Sequence, residues 1–119
     1  MKLKNYALGQ WVEGSGTGTP LFNAINGEQV AIADSTGLDF AEMMNYARTV
    51  GGKVLRNMTF QERGLMLKKL ALHLIARKGA FYEMSAKTGA TKVDSWIDIE
   101  GGIGNLFAYA SLRKQFPNQ

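Results

Sequence analysis

The spacing of apolar and polar side chains changes character near residue 38. Before it, short alternating runs stand between glycines and threonines: Lys4–Leu8 and Gln10–Glu13 flank Gly9, and Leu21–Ile25 and Glu28–Ala33 flank Asn26-Gly27. A period of two marks a half-buried strand, and Asn-Gly favours a tight turn because both residues tolerate positive φ. The pattern predicts two or three short strands forming a β-hairpin within residues 1–37. An isolated hairpin is marginal in water, so it must lie against something else.

After Leu38 the spacing becomes helical. Asp39-Phe40-Ala41-Glu42 and Thr59-Phe60-Gln61-Glu62 each set a capping oxygen three residues ahead of a glutamate, which satisfies free N–H groups at a helix start. They predict one helix from Phe40 to about Val50, stopped by Gly51-Gly52, and another from Phe60 to about Arg77. Gly79 should then interrupt, a shorter helix should cover Ala80–Lys87 and stop at Thr88-Gly89, and a last one should span about Lys92–Lys114, ending before Pro117. The expected fold class is α+β, mostly helical: an N-terminal β-hairpin region (1–37) and a helical region of about four helices (38–119), together one partial domain over residues 1–119.

Two of these helices carry unusual patterns. The Phe60–Arg77 segment has an apolar stripe at Leu67, Leu70, Ala71 and Leu74 and a second at Leu65, Leu72, Ile75 and Ala76. Two stripes imply burial on both sides. Three further helices and a hairpin are too few to cover both, so oligomerisation or a larger domain is expected. In the last helix Trp96, Ile99, Ile103, Leu106, Phe107 and Ala110 recur at three- and four-residue spacing, as a core stripe should. Opposite them lie Asp98, Gly101, Gly102, Asn105 and Tyr109. Each of Gly101, Gly102 and Gly104 costs a helix interior about 1 kcal/mol relative to alanine. Close approach of another backbone is the expected reason, and room for a ligand is the second.

Composition narrows the chemistry. At 119 residues, 45% apolar and 20% charged, the chain matches ordinary globular sequences. The net charge of +4 is uneven: residues 1–50 carry three basic and five acidic side chains, and the rest carry eleven and five. The basic residues are interleaved with acids over several helices, which predicts a solvated surface and no nucleic-acid partner. There is no cysteine and a single histidine, which excludes disulfides, thiolate nucleophiles and Cys-ligated zinc from these residues. His73 has no acid or histidine four positions away and is expected to be structural or exposed. Gly14-Ser15-Gly16-Thr17-Gly18-Thr19 has the look of a phosphate loop, but no Lys-Ser/Thr pair and no helix follow it. A flexible connection is expected there. Asp98 and Glu100, two apart on a helix, should point in different directions and not act as a paired acid and base. The six dispersed methionines are expected to fill core gaps. No apolar run is long enough to span a membrane or serve as a signal peptide, so a cytoplasmic location is expected.

The order of elements resembles the N-terminus of the aldehyde dehydrogenase superfamily. The residues carrying the likeness are Leu8-Gly9-Gln10-Trp11-Val12, Asn26-Gly27-Glu28, Met58-Thr59-Phe60-Gln61-Glu62-Arg63 with Leu65 and Leu67, Lys87-Thr88-Gly89, and Phe107-Ala108-Tyr109-Ala110. More specific are Ser85–Thr91 and Asp94–Gly104, which look like the enzymes that oxidise CoA-linked semialdehydes in aromatic catabolism. They look like the phenylacetate-degradation type, in which the resemblance implies a C-terminal ring-opening domain joined to the dehydrogenase; a benzoate-degradation type stays open beside it. The resemblance implies the N-terminal part of a cofactor-binding domain. It also implies that the catalytic cysteine, the general-base glutamate and the NAD(P) loop lie outside these residues, so no catalytic, cofactor-binding or metal residue is expected within them. NADP or NAD would be bound by the parent enzyme. The partners it implies are the remainder of the dehydrogenase domain and further copies in a homo-oligomer. Ile97, Asp98, Gly101 and Asn105 correspond to positions bordering the substrate tunnel. The alternative is a self-standing helical module for oligomerisation.

Overall fold

The computed structural model describes residues 1–116, so the relation of the last helix to Pro117 lies outside the described residues. The chain divides into two compact units, Met1–Val54 and a second beginning at Leu55.

In the first unit the alternating runs fold as two separate hairpins, where the sequence pattern suggested one. β1 (Asn5–Ala7) pairs antiparallel with β2 (Gln10–Val12), Asn5 opposite Val12 and Ala7 opposite Gln10. Only Leu8 and Gly9 connect them, at φ of 52° and 77°. Both central residues are thus left-handed, as a two-residue type I′ turn requires, and glycine takes that conformation without steric cost. Tyr6 and Trp11 face each other across the pair in an edge-to-face contact, ring centroids 5.0 Å apart. β3 (Thr19–Phe22) pairs antiparallel with β4 (Gln29–Ala33), with an irregularity between Leu21 and Phe22. The turn is closed by Asn23 N–H donating to the Glu28 carbonyl and Gly27 N–H to the Asn23 carbonyl. The first residues of the chain run beside β4: Leu3 N–H donates to Ile32 and Ile32 N–H to Met1.

The glycine-rich stretch between the hairpins is not loose. Asp34, its side chain only 3% exposed, accepts hydrogen bonds from the N–H groups of Gly16 and Thr36 and from the Thr36 hydroxyl. Lys2 Nζ lies 3.0 Å from the same carboxylate and donates to the carbonyls of Gly14 and Gly16. A Cβ on Gly14 would come within 2.5 Å of the Asp34 carbonyl oxygen, so the backbones approach too closely there for any side chain.

α1 (Phe40–Tyr46) starts at Asp39, whose carboxylate accepts from Glu42 N–H. Only this half of the expected box forms; the Glu42 carboxylate is contacted by Asn45. The helix does not stop at Gly51-Gly52. It widens into one π-helical turn (Ala47–Gly51) and continues as α2 (Gly52–Asn57). Glycine ends a helix by turning left-handed, whereas Gly52 holds φ −61° and ψ −37° and passes the helix on.

The second unit is a helical layer. α3 (Phe60–Ile75) has the full capping box: Glu62 N–H donates to the Thr59 hydroxyl, and Thr59 N–H to the Glu62 carboxylate. It ends before Gly79, where the ladder tightens at Arg77, whose N–H reaches back three residues to the Leu74 carbonyl. α4 (Lys78–Lys87) therefore contains Gly79, and it ends at Thr88 and Gly89, the latter at φ 85°. α5 (Lys92–Ser111), capped by Thr91, passes into a 3₁₀ turn, Leu112–Gln115, short of the expected Lys114 end.

α3 crosses α5 through small residues. Gly64 and Ala71 of α3 and Ala110 and Ile103 of α5 are buried at the crossing. Ser95 is also buried and shares a hydrogen bond of 2.8 Å with Ser85 of α4. In the first α3 stripe Ala71 is buried and Leu67 and Leu74 are half-buried, but Leu70 stays 46% exposed; in the second Ile75 is half-buried, while Leu65 and Leu72 stay 47% and 50% exposed. Trp96 departs from expectation: Ser95 turns inward at its place and the indole is 57% exposed. His73 is exposed on α3.

Candidate functional site

The residues singled out by resemblance lie together on α5. Ile97, Gly101 and Asn105 follow at four-residue spacing and Asp98 adjoins them, so all four fall within a sector of about 100°. Each is exposed, on the side of α5 away from Ser95, Ile103 and Ala110. A Cβ at Gly101, Gly102 or Gly104 would meet no atom within 4 Å. Close backbone packing, the expected reason for these glycines, is therefore not supplied by the described residues.

Two grooves flank this face. One is lined by Lys78, Tyr82, Lys92, Val93, Trp96 and Glu100. At its end the Tyr82 hydroxyl donates to Glu100 at 2.5 Å, and Lys78 Nζ donates to the other carboxylate oxygen at 3.1 Å. The Tyr82 hydrogen bond, followed by that from Lys78, holds the Glu100 carboxyl below its usual range. The same hydrogen bond, with partial burial and the carboxylate charge, pushes the Tyr82 phenol up to about 12. Sequence reasoning missed this cluster, since Lys78, Tyr82 and Glu100 sit on two helices and no spacing rule joins them. Its pKa values are displaced away from neutrality, so its chemistry is that of a structural tie between α4 and α5. Glu100 is thereby turned away from Asp98, as the two-residue spacing required. The other groove is almost wholly apolar, lined by Leu74, Phe81, Ile99, Gly102, Ile103 and Leu106.

The glycine loop of the first unit does not fit a nucleotide phosphate. An anion cradle needs free backbone N–H groups, but Gly16 N–H is given to Asp34 and Ser15 N–H to the Thr36 carbonyl. The local charge is already a carboxylate, held well below the ordinary range by the Thr36 hydroxyl, the Thr36 N–H and Lys2. Among the described residues no cluster of three or more His, Asp or Glu could hold a metal ion, and no helix is long and apolar enough to cross a membrane.

These features leave the exposed faces of α3 and α5 without a partner among the described residues. The chain is similar to a CoA-semialdehyde dehydrogenase. It is 37% identical over 115 residues to the 3,4-dehydroadipyl-CoA semialdehyde dehydrogenase of Aromatoleum evansii. The match covers 96% of this chain and 22% of the relative, so the chain spans about a fifth of that protein's length. No family model matches. The match spans the same stretch as the motifs read from Leu8–Val12 to Phe107–Ala110.

Proposed function

We propose that this chain is the N-terminal segment of a dehydrogenase that oxidises a CoA-linked semialdehyde with a nicotinamide cofactor, and that it has no activity alone. The observation carrying the reading is the 37% identity over 96% of the chain to a relative named for that activity. The absence of cysteine supports the second part, because the nucleophile of such an enzyme must come from elsewhere. The glycine loop, closed on Asp34, gives no seat to the cofactor phosphates. NADP or NAD would be held by the remainder of the parent protein, which would act in aromatic catabolism as a cytoplasmic homo-oligomer.

Within that reading, Ile97, Asp98, Gly101 and Asn105 border the substrate passage. Open space over Gly101 supports the assignment, since the position could admit a bulky chain. Titration of the 119-residue chain with NAD and NADP tests the inactive-alone part: no saturable binding is expected, and micromolar binding would overturn it. In the complete enzyme, Gly101→Leu should lower kcat/KM for the CoA-semialdehyde about tenfold or more; an unchanged value would remove the tunnel assignment.

One observation favours a second reading, a self-standing oligomerisation module. Leu65 and Leu72 form an exposed apolar strip on α3. Light scattering that shows a discrete, concentration-independent oligomer of the isolated chain would favour it.

A further inference from the structure

Asparagine followed by glycine occurs once among the described residues, at Asn26-Gly27, and the fold sets the pair at the tip of the β3–β4 hairpin. The other described asparagines, Asn5, Asn23, Asn45, Asn57 and Asn105, each precede a residue that carries a β-carbon. Asn26 and Gly27 are both exposed, and a Cβ at Gly27 would meet nothing within 4 Å. The Asn26 side chain does not reach out into water. Its Oδ1 accepts from the Glu28 N–H at 3.0 Å, which folds the carboxamide forward over the peptide joining Asn26 to Gly27. The same hydrogen bond polarises the carboxamide C=O, and glycine puts no side chain in the way of its own nitrogen.

We propose that Asn26 is a site of spontaneous covalent modification, a deamidation in which the Gly27 backbone nitrogen is the nucleophile and water the only other reactant. The Gly27 nitrogen gives up its proton to water or hydroxide and bonds to Asn26 Cγ. The Cγ–Nδ2 bond then breaks, Nδ2 takes up a proton, and ammonia leaves a five-membered cyclic imide. Water adds to one of the two imide carbonyls. Breaking the new Cγ–N bond restores the backbone with aspartate at position 26. Breaking the bond to the main-chain carbonyl leaves isoaspartate, with the chain running through the side-chain carbon. No group is oxidised or reduced.

The fold sets a gate on this chemistry. Gly27 N–H is donated to the Asn23 carbonyl at 2.8 Å, and that bond must open before the nitrogen is free to attack. The imide has no N–H at Gly27, so the bond is lost once the ring forms. Either product places a carboxylate between the exposed Ile25 and Glu28, and isoaspartate also lengthens the backbone inside the turn that the Asn23 N–H and Glu28 carbonyl close. The far end of the hairpin is tied to Met1 and Leu3 through Ile32. The change is therefore confined to the tip, which turns from a neutral, partly apolar surface into an acidic one.

The test is incubation of the 119-residue chain in mildly alkaline buffer, folded and in urea, with peptide mass spectrometry that separates aspartate from isoaspartate. Asn26 should convert about tenfold or more faster than Asn5, Asn23, Asn45, Asn57 or Asn105, because its nucleophile is held adjacent and unhindered. Both products should form, and conversion should be faster in urea, where the Asn23 bond is absent. Gly27→Ala, compared in urea so that turn strain plays no part, should slow the reaction at Asn26 about tenfold. Conversion of Asn26 no faster than that of Asn45 or Asn105 would overturn the proposal, as would an unchanged rate in Gly27→Ala. Aspartate formed with no isoaspartate would mean direct attack by water and would overturn the role of Gly27. Equal rates in the folded chain and in urea would overturn the gate at Asn23.

Discussion

Gly64 of α3 lies directly beneath Ala110 of α5: a Cβ added to the glycine would stand 3.1 Å from the Ala110 carbonyl oxygen and 3.0 Å from Arg113 Cβ. Arg113 Cδ, also 3.0 Å away, can swing aside, but the Ala110 carbonyl and Arg113 Cβ move only with the backbone of α5 and the turn after it. Gly64→Leu should therefore push α3 and α5 apart and destabilise the unit by about 1–3 kcal/mol, the usual cost of overpacking. Urea unfolding followed by far-UV circular dichroism measures it, and a midpoint equal to wild type would show that the crossing is looser than described.

The tie between Tyr82 and Glu100 makes stability depend on alkaline pH. Tyr82 is raised from 10.0 to about 12 in the folded chain. A raised pKa contributes stability that is complete below the unfolded value and is lost as pH rises through the folded one. The window is therefore pH 10 to 12. Tyr82→Phe should be less stable than wild type at pH 8, and the difference should shrink across that window. Parallel stability curves for the two proteins from pH 8 to 12 would contradict the assignment. Glu100, lowered, contributes in the opposite sense: its share is present above the ordinary carboxylate range and is lost in acid.

Asp34 should govern the order of the glycine loop. Asp34→Ala removes the acceptor for Gly16 N–H, Thr36 N–H and the Thr36 hydroxyl, and leaves Lys2 with its carbonyl partners only. Amide hydrogen exchange at Gly16 and Thr36 should accelerate by an order of magnitude or more, with little change in the second unit. Lys2→Met should give a smaller effect in the same place.

Leu8 pays for its place in the first hairpin. It is the only positive-φ residue other than glycine among the described residues, at 52°. A left-handed β-carbon costs about 1–2 kcal/mol, and asparagine at that turn position costs less. Leu8→Asn should stabilise the hairpin by up to about 1 kcal/mol, read as a rise in thermal midpoint. A fall would show that the half-exposed leucine side chain contributes more than its backbone costs.

Thr59 caps α3 through both halves of a reciprocal box. Thr59→Ala should cost about 1 kcal/mol, whereas Thr59→Asp should recover most of it. Equal losses in the two variants would show that the box is not what starts the helix.

The sequence by itself determined most of what depends on near neighbours along the chain, the helix stop expected at Gly51-Gly52 and the second half of the Asp39 box being the exceptions. Thr59, Asp39 and Thr91 start helices because a side-chain oxygen reaches an N–H three residues on, and alternation gave strands on both sides of Gly9 and of Asn26-Gly27. The face shared by Ile97, Asp98, Gly101 and Asn105 follows from spacing alone, although spacing does not say what touches it. Contacts made at a distance belonged to the tertiary structure. It bound the flexible-looking glycine loop to Asp34 and Lys2, joined Tyr82 to Glu100, and turned Ser95 inward in place of Trp96. The physical reason is one of range. Capping and pleating are settled within a turn of backbone, whereas which face of a helix is buried depends on partners that the linear pattern does not name. For α3 and α5 the structure left much of those faces in water, which no spacing along the chain could have said.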